Sequence, residues 1–387
     1  MKDLYLELIK YYRYVVGGPI PNEEDFLKAL KMTVTQDELR LFFLLPLHES
    51  MLETELADKA EKIGIDKALF DEYSNRLVKE GVVLRYTLPE GRALERSNVV
   101  FMTEQQVRKP GDSYIKQKFA EFFDKCIDPR DTDPESKEPD FKAMAAGMTP
   151  WYRAIPVEAT VTKTPVIGKH TLNIPVADPR TVMPIDIVSE MVKAQPLIAI
   201  ADCYCRATEK VMGKDCGHLM ETCFCFNDLA ESLIDCGTAR KIEVDEALDI
   251  LRKCEEQGLI HFIDNAEGEL RGLCNCCACS CIMIKTFQRS GPTSSGTPSR
   301  FIVSLNNDKC ISCGLCVKTC QMAALSLKDS MLQLYKDKCF GCGQCVSRCP
   351  EGAIQLVPRD SYAKIYKTKL ELNTKINSEL KKDPDVL

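Results

Sequence analysis

The chain has 387 residues, 45% of them hydrophobic, which suits two or three globular domains with packed cores. Its formal net charge of −6 at pH 7 argues against nucleic acid as the main partner. It carries 21 cysteines, an odd number, and a chain of this length does not need disulfides to stabilise a small core.

The first residues do not predict a secretory signal. Charged residues interrupt the apolar pattern at Asp3, Glu7, Lys10 and Arg13, and no stretch approaches the ~18 apolar residues of a membrane span. We therefore expect a cytoplasmic protein with no membrane span. Since thiols stay reduced in that compartment, the density of cysteines indicates metal or redox chemistry.

Residues 1–103 predict a winged-helix-like domain. Three helical stretches begin with TQDELRLFFLL, whose N-cap is Thr35, and end with KALFDEYSNRLVKEG, which stops at Gly81. VVLRYTL and SNVVFMT follow as two predicted strands around a PEGRALE turn region. Three helices followed by a two-stranded wing form the winged-helix outline.

The charge of the third helix bears on what this domain binds. Residues 66–81 contain four acidic and three basic side chains, so the helix offers few contacts for DNA phosphates. A docking or dimerising module is the favoured interpretation, with DNA binding as the alternative. The acidic residues are Asp66, Asp71, Glu72 and Glu80, and the basic ones are Lys67, Arg76 and Lys79.

Residues 104–195 predict a connecting region with extended segments. The stretch DPRDTDPESKEPD is polar and carries prolines, as in a surface loop or linker. WYRAIPVEATVTKTPVIGKHTLNIPVADP has β-branched runs interrupted by proline, which favours edge strands. We expect Trp151 to be buried by packing. The alternative is that Trp151 and Arg153 face a cofactor or a partner.

The remaining domain boundaries follow the cysteines. Residues 196–286 predict a central cysteine-rich domain with a helix in VDEALDILRKCEEQGLIHF, where Cys254 is expected to be a small core residue. FQRSGPTSSGTPSR, residues 287–300, predicts a linker to a separate module at 301–358. Residues 359–387 predict a charged helical tail. The fold class expected for the whole chain is α+β.

The C-terminal module carries a duplicated cysteine motif. CISCGLCVKTC and CFGCGQCVSRCP repeat the spacing C-x2-C-x2-C-x3-C, 29 positions apart, and this match argues against zinc. In this spacing three thiolates surround one [4Fe–4S] cluster and the fourth ligates the other cluster. We therefore assign to one cluster Cys310, Cys313, Cys316 and Cys349, and to the second Cys339, Cys342, Cys345 and Cys320.

With these motifs, residues 301–358 resemble the bacterial two-cluster ferredoxins. The resemblance implies a ferredoxin-like (βαβ)2 fold with a pseudo-twofold axis and two [4Fe–4S] clusters, each carrying one electron at a time. One departure is visible, because the first motif is followed by Gln321 where the second is followed by Pro350. The spacing before Cys320 is unchanged, so we expect a four-iron cluster there as well.

A second field of cysteines lies in the central domain. DCYCRATEKVMGKDCGHLMETCFCF and RGLCNCCACSC each contain five. Adjacent Cys276 and Cys277 point to opposite sides of a strand, so this run suits two sites better than one. All-thiolate ligation favours one or two further iron–sulfur clusters. The alternatives are a structural zinc and a dithiol switch at Cys276 and Cys277.

The ligands of these central clusters follow from the sequence only in outline. His218 could replace a thiolate, although a solvent-facing histidine is commoner. Arg206 and Lys214 would stabilise a negatively charged cluster, or are ordinary surface charges. We assign to one cluster Cys203, Cys205, Cys216 and Cys223, and mainly to a further cluster Cys274, Cys276, Cys277, Cys279 and Cys281.

The order of the motifs along the chain is distinctive. ADCYCR, GHLMETC, EALDILRKCEEQGLIHF, GLCNCCACSC and SRFIVSLNNDKC precede the paired ferredoxin motifs. Over nearly its whole length the chain resembles a group of multi-domain 4Fe–4S binding proteins of anaerobic bacteria and archaea. The resemblance implies electron transfer. This chain reads ACSC after CNCC, where such proteins often carry further cysteines.

Together these features predict an electron-transfer subunit. We expect low-potential clusters that exchange electrons with a partner oxidoreductase, and a winged-helix-like domain that holds this partner. No P-loop, GxGxxG or nucleophile triad supports nucleotide hydrolysis or hydride transfer. Two alternatives remain: a reductase whose central cluster meets a small substrate, and a redox-sensing regulator that places its winged helix on DNA.

Overall fold

A computed structural model describes residues 3–16, 19–47, 49–127, 149–167, 174–268, 270–290 and 296–380. It combines helices with largely antiparallel sheets, in agreement with the α+β class. The predicted linker DPRDTDPESKEPD lies outside these residues. Within the described ranges, no helix has both the length and the apolar character that crossing a bilayer requires.

In the described part of residues 3–96, five helices pack around a small sheet. The helices are α1 Leu4–Val16, α2 Glu23–Thr33, α3 Gln36–Phe42, α4 Glu53–Glu61 and α5 Lys67–Lys79. The strands are β1 Met51–Leu52, β2 Val83–Leu88 and β3 Gly91–Arg96, in the order β1-β3-β2. Thr35 caps α3 through a capping box with Glu38, and Gly81 follows α5 at a φ of +71°. The three predicted helices are therefore present as α3, α4 and α5.

The hairpin differs from the prediction. GRALER, expected within a turn region, is β3 and pairs with β2 over its whole length. SNVVFMT, expected as the second strand, instead begins helix α6, Val99–Arg108. The Asn98 side chain accepts a hydrogen bond from the Phe101 backbone N–H, 2.8 Å away, and so caps this helix. The cap outweighs the strand preference of the two valines that follow it.

Helices α6 and α7 extend the N-terminal core past residue 103. From α7, Ser113–Ile127, the side chains of Phe119 and Phe122 pack on Phe26 of α2, at ring-centroid distances of 5.2 and 4.7 Å. The boundary expected at residue 103 therefore falls inside α6. Residues 104–127 share the N-terminal core and differ from the extended connecting region predicted there.

Seven strands of the described residues form the central sheet. They are β4 Tyr152–Ile155, β5 Ile198–Asp202, β6 Glu221–Phe226, β7 Ala239–Lys241, β8 Ile260–Asp264, β9 Gly272–Cys276 and β10 Gly296–Thr297. Their order is β10-β4-β8-β9-β6-β5-β7. Neighbouring strands are antiparallel except for β10 and β4. The proline-interrupted segment thus enters the sheet as β4, next to the short edge strand β10.

Helices cover both faces of this sheet. They are α8 Val188–Lys193, α9 Tyr204–Val211, α10 Asn227–Asp235, α11 Val244–Glu256 and α12 Ile282–Ser290. Alternation along β5 sends Ile198 and Ile200 to the core shared with α11, and Ala199 and Ala201 to the core shared with α10. Cys254 of α11 is fully buried, as predicted.

Two further predictions differ from the structure near β4. Trp151, expected to be buried, is 37% exposed just before the strand, whereas Arg153 is buried and donates a hydrogen bond to the Ile185 carbonyl, 2.9 Å away. The predicted linker 287–300 is helical through residue 290 and enters the sheet as β10. The strand was not predicted because it has only two residues and lies in a stretch rich in Ser, Gly and Pro.

The C-terminal region forms two antiparallel strand pairs, β11 with β14 and β12 with β13. Its elements are β11 Phe301–Leu305, α13 Leu315–Thr319, β12 Leu325–Lys328, β13 Met331–Leu334 and β14 Ile354–Pro358. The region packs on the central sheet and so differs from the separate module predicted. Phe340 lies 5.5 Å from Phe262 of β8 and 4.3 Å from Phe287 of α12, between ring centroids. Helix α14, Lys369–Leu380, lies within the predicted tail and is anchored by buried apolar residues.

Candidate metal centres

The first cavity of the C-terminal region is lined by cysteines from both motifs. The empty space in and around it, open solvent included, is about 350 Å³. Apolar side chains, among them Leu327, Leu332 and Ile354, form much of the remaining wall. Three of its thiols belong to the first motif, namely Cys310, Cys313 and Cys316, and the fourth, Cys349, belongs to the second.

The second cavity has the converse composition. The empty space in and around it, open solvent included, is about 340 Å³, and Val303, Met322 and Phe340 contribute to its apolar wall. Its cysteines are Cys339, Cys342, Cys345 and Cys320. The structure thus brings together the same two sets of four cysteines that the spacing groups. A cavity of four thiols with an apolar wall has the donor chemistry that a [4Fe–4S] cluster requires.

The turns around both cavities contain residues in the left-handed region. Ser312 and Gly341, which occupy equivalent positions of the two motifs, have φ angles of +54° and +64°. A Cβ on Gly341 would lie 2.0 Å from the Phe301 carbonyl oxygen, so only glycine fits there without movement of the backbone. Backbone N–H groups also donate to cysteine sulfurs, from Gly341 to Cys339 at 3.4 Å and from Ala324 to Cys320 at 3.3 Å.

The two cavities differ in their surroundings. The first lies at the surface, where Cys313 is exposed and Ile311 and Leu315 are 61% and 47% exposed. The second lies against the central domain. There the Val157 N–H donates to the Cys342 carbonyl at 2.9 Å, and the Gln344 amide donates to the Leu259 carbonyl at 2.7 Å.

The central domain assembles seven thiols into one continuous group, which we call the central thiol group. Neighbouring thiols lie close enough to interact along a path from α9 through α12 and β9 to β6. In the order of these contacts the members are Cys203, Cys205, Cys281, Cys276, Cys274, Cys223 and Cys225. More thiols converge here than the four that one cluster needs.

Strand register explains part of this group. On β6, Cys223 and Cys225 alternate with Phe224 and so share one face of the sheet. On the neighbouring strand β9, Cys274 lies next to Cys223, because Phe224 pairs with Leu273. Cys225 was not among the ligands assigned from the sequence. Because Cys225 lies two residues after Cys223, recognition of β6 as a strand would have placed both thiols on the same face.

A buried arginine, Arg108, also escaped the sequence analysis. It reaches from α6 of the N-terminal region and donates to the Cys223 sulfur at 3.3 Å and to the Asp202 carbonyl at 2.9 Å. Burial opposes its charge, but the nearby thiol of Cys223 and the carboxylate of Glu104 raise the pKa of Arg108 above its usual range. No local motif marks it, since α6 meets the thiols only through tertiary packing.

The two charges suggested by the sequence have different positions. Arg206 is buried and donates to the Asn275 carbonyl at 3.1 Å and to the Cys277 sulfur at 3.6 Å. Lys214 is exposed on the loop after α9. Of these two residues, only Arg206 contacts a cysteine of this domain among the described contacts.

A second group of donors lies apart from the central thiol group. Donor atoms of Cys216, His218, Cys277 and Cys279 all lie within 4.8 Å of one another. This differs from the assignment of Cys216 to a site with Cys203, Cys205 and Cys223. As the alternation predicts, Cys277 packs in the core opposite to that of Cys276.

The surroundings of Cys216 favour the thiolate form of its side chain. Burial acts to raise the pKa of Cys216, but hydrogen bonds from Ser280 and His218 outweigh it and lower the pKa to about 6. The Ser280 hydroxyl lies 3.5 Å from this sulfur and His218 Nδ1 lies 3.4 Å from it. At neutral pH this position therefore offers an anionic ligand.

Comparison with known proteins adds one finding. Residues 303–356 match the 4Fe-4S dicluster domain family. No curated protein matches the chain. The C-terminal region is therefore an iron–sulfur domain, and together with the many cysteines it supports an iron–sulfur electron-transfer role.

Proposed function

We propose that this protein is a cytoplasmic electron-transfer subunit of an anaerobe, which exchanges low-potential electrons with a partner oxidoreductase. The observation that carries the proposal is the pair of cavities, each with four cysteines drawn three from one motif and one from the other. The central thiol group lies in the same molecule, and its Cys276 and Cys281 belong to the same hydrophobic core as cysteines of both cavities. Neither a hydrolytic nor a hydride-transfer motif competes with this role in the sequence.

The ligands follow from the linings. Cys310, Cys313, Cys316 and Cys349 would hold one [4Fe–4S] cluster, and Cys339, Cys342, Cys345 and Cys320 a second one. The central thiol group would hold a third with four of its seven members. A bound cluster of this kind accepts or releases one electron at a time.

The surroundings of the three thiol groups support transfer across the molecule. The first cavity is exposed at Ile311 and Leu315, where a partner can approach closely. The second is covered by the central domain through Val157 and Gln344. Three members of the central thiol group, Cys225, Cys276 and Cys281, are buried, and Arg108 supplies positive charge beside Cys223. An exposed first cavity and two thiol groups with buried members would suit transfer of electrons between the surface and the interior.

The N-terminal region supports a docking role more than DNA binding. The order α3-β1-α4-α5-β2-β3 supports the proposal of a winged-helix-like module. Its hairpin is engaged by the central domain, because the Ser232 hydroxyl of α10 donates to the Arg85 carbonyl at 2.6 Å and Asp235 pairs with Arg92 at 3.1 Å. The outer side of α5 exposes side chains of both charges, among them Asp71, Glu72 and Lys79, and would offer a surface for a protein, either the partner oxidoreductase or a second copy.

The experiment is anaerobic purification of the native protein with identification of its co-purifying subunits. We expect about twelve irons per chain, four for each cluster, and a stable oxidoreductase partner. Potentiometric titration followed by electron paramagnetic resonance should resolve one-electron centres. Eight irons would remove the central cluster from the proposal. A protein without any redox-active centre would contradict it altogether.

A further inference from the structure

We propose that Cys216, His218, Cys277 and Cys279 form a mononuclear zinc site, separate from the iron–sulfur centres. The site joins the loop between α9 and β6 to the turn that follows β9. Three thiolates and one imidazole are a common donor set of structural zinc. The sequence pattern, C-x-H with C-x-C, contains neither of the C-x2-C knuckles by which such sites are usually recognised.

The separation of the donors distinguishes one ion from a cluster. All four donor atoms lie within 4.8 Å of one another, and His218 Nδ1 is 3.4 Å from Cys216 Sγ and 3.7 Å from Cys279 Sγ. Ligands of one tetrahedral zinc, bound at about 2.0 to 2.3 Å, are separated by roughly 3 to 4 Å. Thiolates of a four-iron cluster bind different irons and project away from its centre, so they stand farther apart. The spacing fits a single ion.

Charge around the site is also matched to zinc. Zn²⁺ with three thiolates and a neutral imidazole carries one net negative charge. The buried guanidinium of Arg206 donates to the Cys277 sulfur at 3.6 Å and offsets that charge. The Ser280 hydroxyl donates to the Cys216 sulfur at 3.5 Å. Such outer hydrogen bonds orient ligands and are typical of established metal sites.

The donor set favours zinc over ferrous iron. Mixed nitrogen and sulfur ligands bind Zn²⁺ more tightly than Fe²⁺ at the same geometry. Cys277 is buried and Cys279 is exposed, so the ion has both an anchor and a path of entry. Four protein ligands leave no open position, which assigns the site a structural role. Zinc here would fix the segment of residues 212–220, which leads directly into the cysteines of β6.

The test measures zinc and iron together in the full-length protein, purified anaerobically. We expect one zinc per chain, and X-ray absorption at the zinc edge should report three sulfur ligands and one nitrogen ligand. His218→Ala and Cys279→Ser should each lower zinc at least tenfold and leave iron content and visible absorption unchanged. Lys214→Ala, on the same loop, is the matched control and should keep its zinc.

The His218→Cys variant distinguishes loss of a zinc ligand from misfolding of the first two variants. It keeps four ligands, so it should retain zinc and change the zinc shell to four sulfurs. Absence of zinc from the wild-type protein would overturn the proposal. So would loss of iron, with zinc unchanged, in the His218→Ala or Cys279→Ser protein, or a zinc shell that is unaltered in His218→Cys.

Discussion

Replacing Gly341 by serine should destabilise the second cavity, although serine is the natural residue at the equivalent position of the first motif. Ser312 has a φ of +54° and Gly341 one of +64°, so the backbone conformation alone does not exclude serine. The difference lies in the neighbourhood. A Cβ at residue 341 would lie 2.0 Å from the carbonyl oxygen of Phe301 and 2.7 Å from its carbonyl carbon.

The magnitude follows from two contributions. A side chain in the left-handed region costs roughly 1–2 kcal/mol relative to glycine. Relieving the contact requires β11 to move by about 1 Å, and overpacking of this kind costs a further ~1–3 kcal/mol. Gly314→Ser is the matched control, because Gly314 has a φ of +74° and the nearest atom to its Cβ position is a leucine methyl at 3.7 Å. It should show the first contribution alone.

The assay is release of iron from anaerobic protein to a chelator, followed by visible absorbance. Because release requires local opening, ~1–3 kcal/mol of additional destabilisation makes it roughly 5- to 140-fold faster in Gly341→Ser than in Gly314→Ser. Ser312→Gly should change the rate little. Equal rates in Gly341→Ser and Gly314→Ser would refute the reasoning, since the contact with Phe301 would then carry no energy.

Three further predictions concern the thiol groups and the N-terminal region. Cys320→Ala should abolish the signal of the cluster held by Cys339, Cys342 and Cys345 and spare the other C-terminal cluster; loss confined to the Cys310 cluster in the spectrum would contradict the exchange of the fourth cysteine. Arg108→Gln should lower the reduction potential of the central cluster by on the order of 50 mV, because a buried positive charge and a hydrogen bond to Cys223 are lost. Arg108→Lys keeps the positive charge and should have a reduction potential close to that of the wild-type protein. Oxidised and reduced protein should both fail to form a sequence-specific DNA complex at physiological salt, since α5 has few basic residues and the hairpin is engaged by α10; selection of a defined operator with nanomolar affinity would favour the regulator.

Features fixed by local spacing could be predicted from the sequence. The eight C-terminal cysteines repeat at matched intervals, and the structure groups them as the spacing indicates. The helix caps at Thr35 and Gly81 are equally local. Alternation along β9 correctly separated Cys276 from Cys277. In each case the physical cause lies within a few residues of the signal.

Features that depend on tertiary packing were missed. Cys216 was grouped with its neighbours in sequence, yet His218 and Cys279, which contact each other beside it, lie 61 residues apart. Arg108 could not be identified from the sequence, because it lies on α6 of the N-terminal region and contacts Cys223 of the central domain. SNVVFMT was predicted as a strand because its β-branched residues masked the cap at Asn98. Each of these outcomes is decided by partners that the local pattern does not contain.

The exchange of the fourth cysteine has a consequence for synthesis of the chain. The ribosome adds Cys310, Cys313 and Cys316 early, but the first cavity receives its last thiol only with Cys349. The second cavity is complete four residues sooner, at Cys345. The first cavity thus receives its first cysteine before the second cavity does, but its last cysteine after it. Neither motif by itself provides all four cysteines of one cavity. With the ligands proposed above, a cluster with four protein ligands would form only after both motifs have been translated and have folded together.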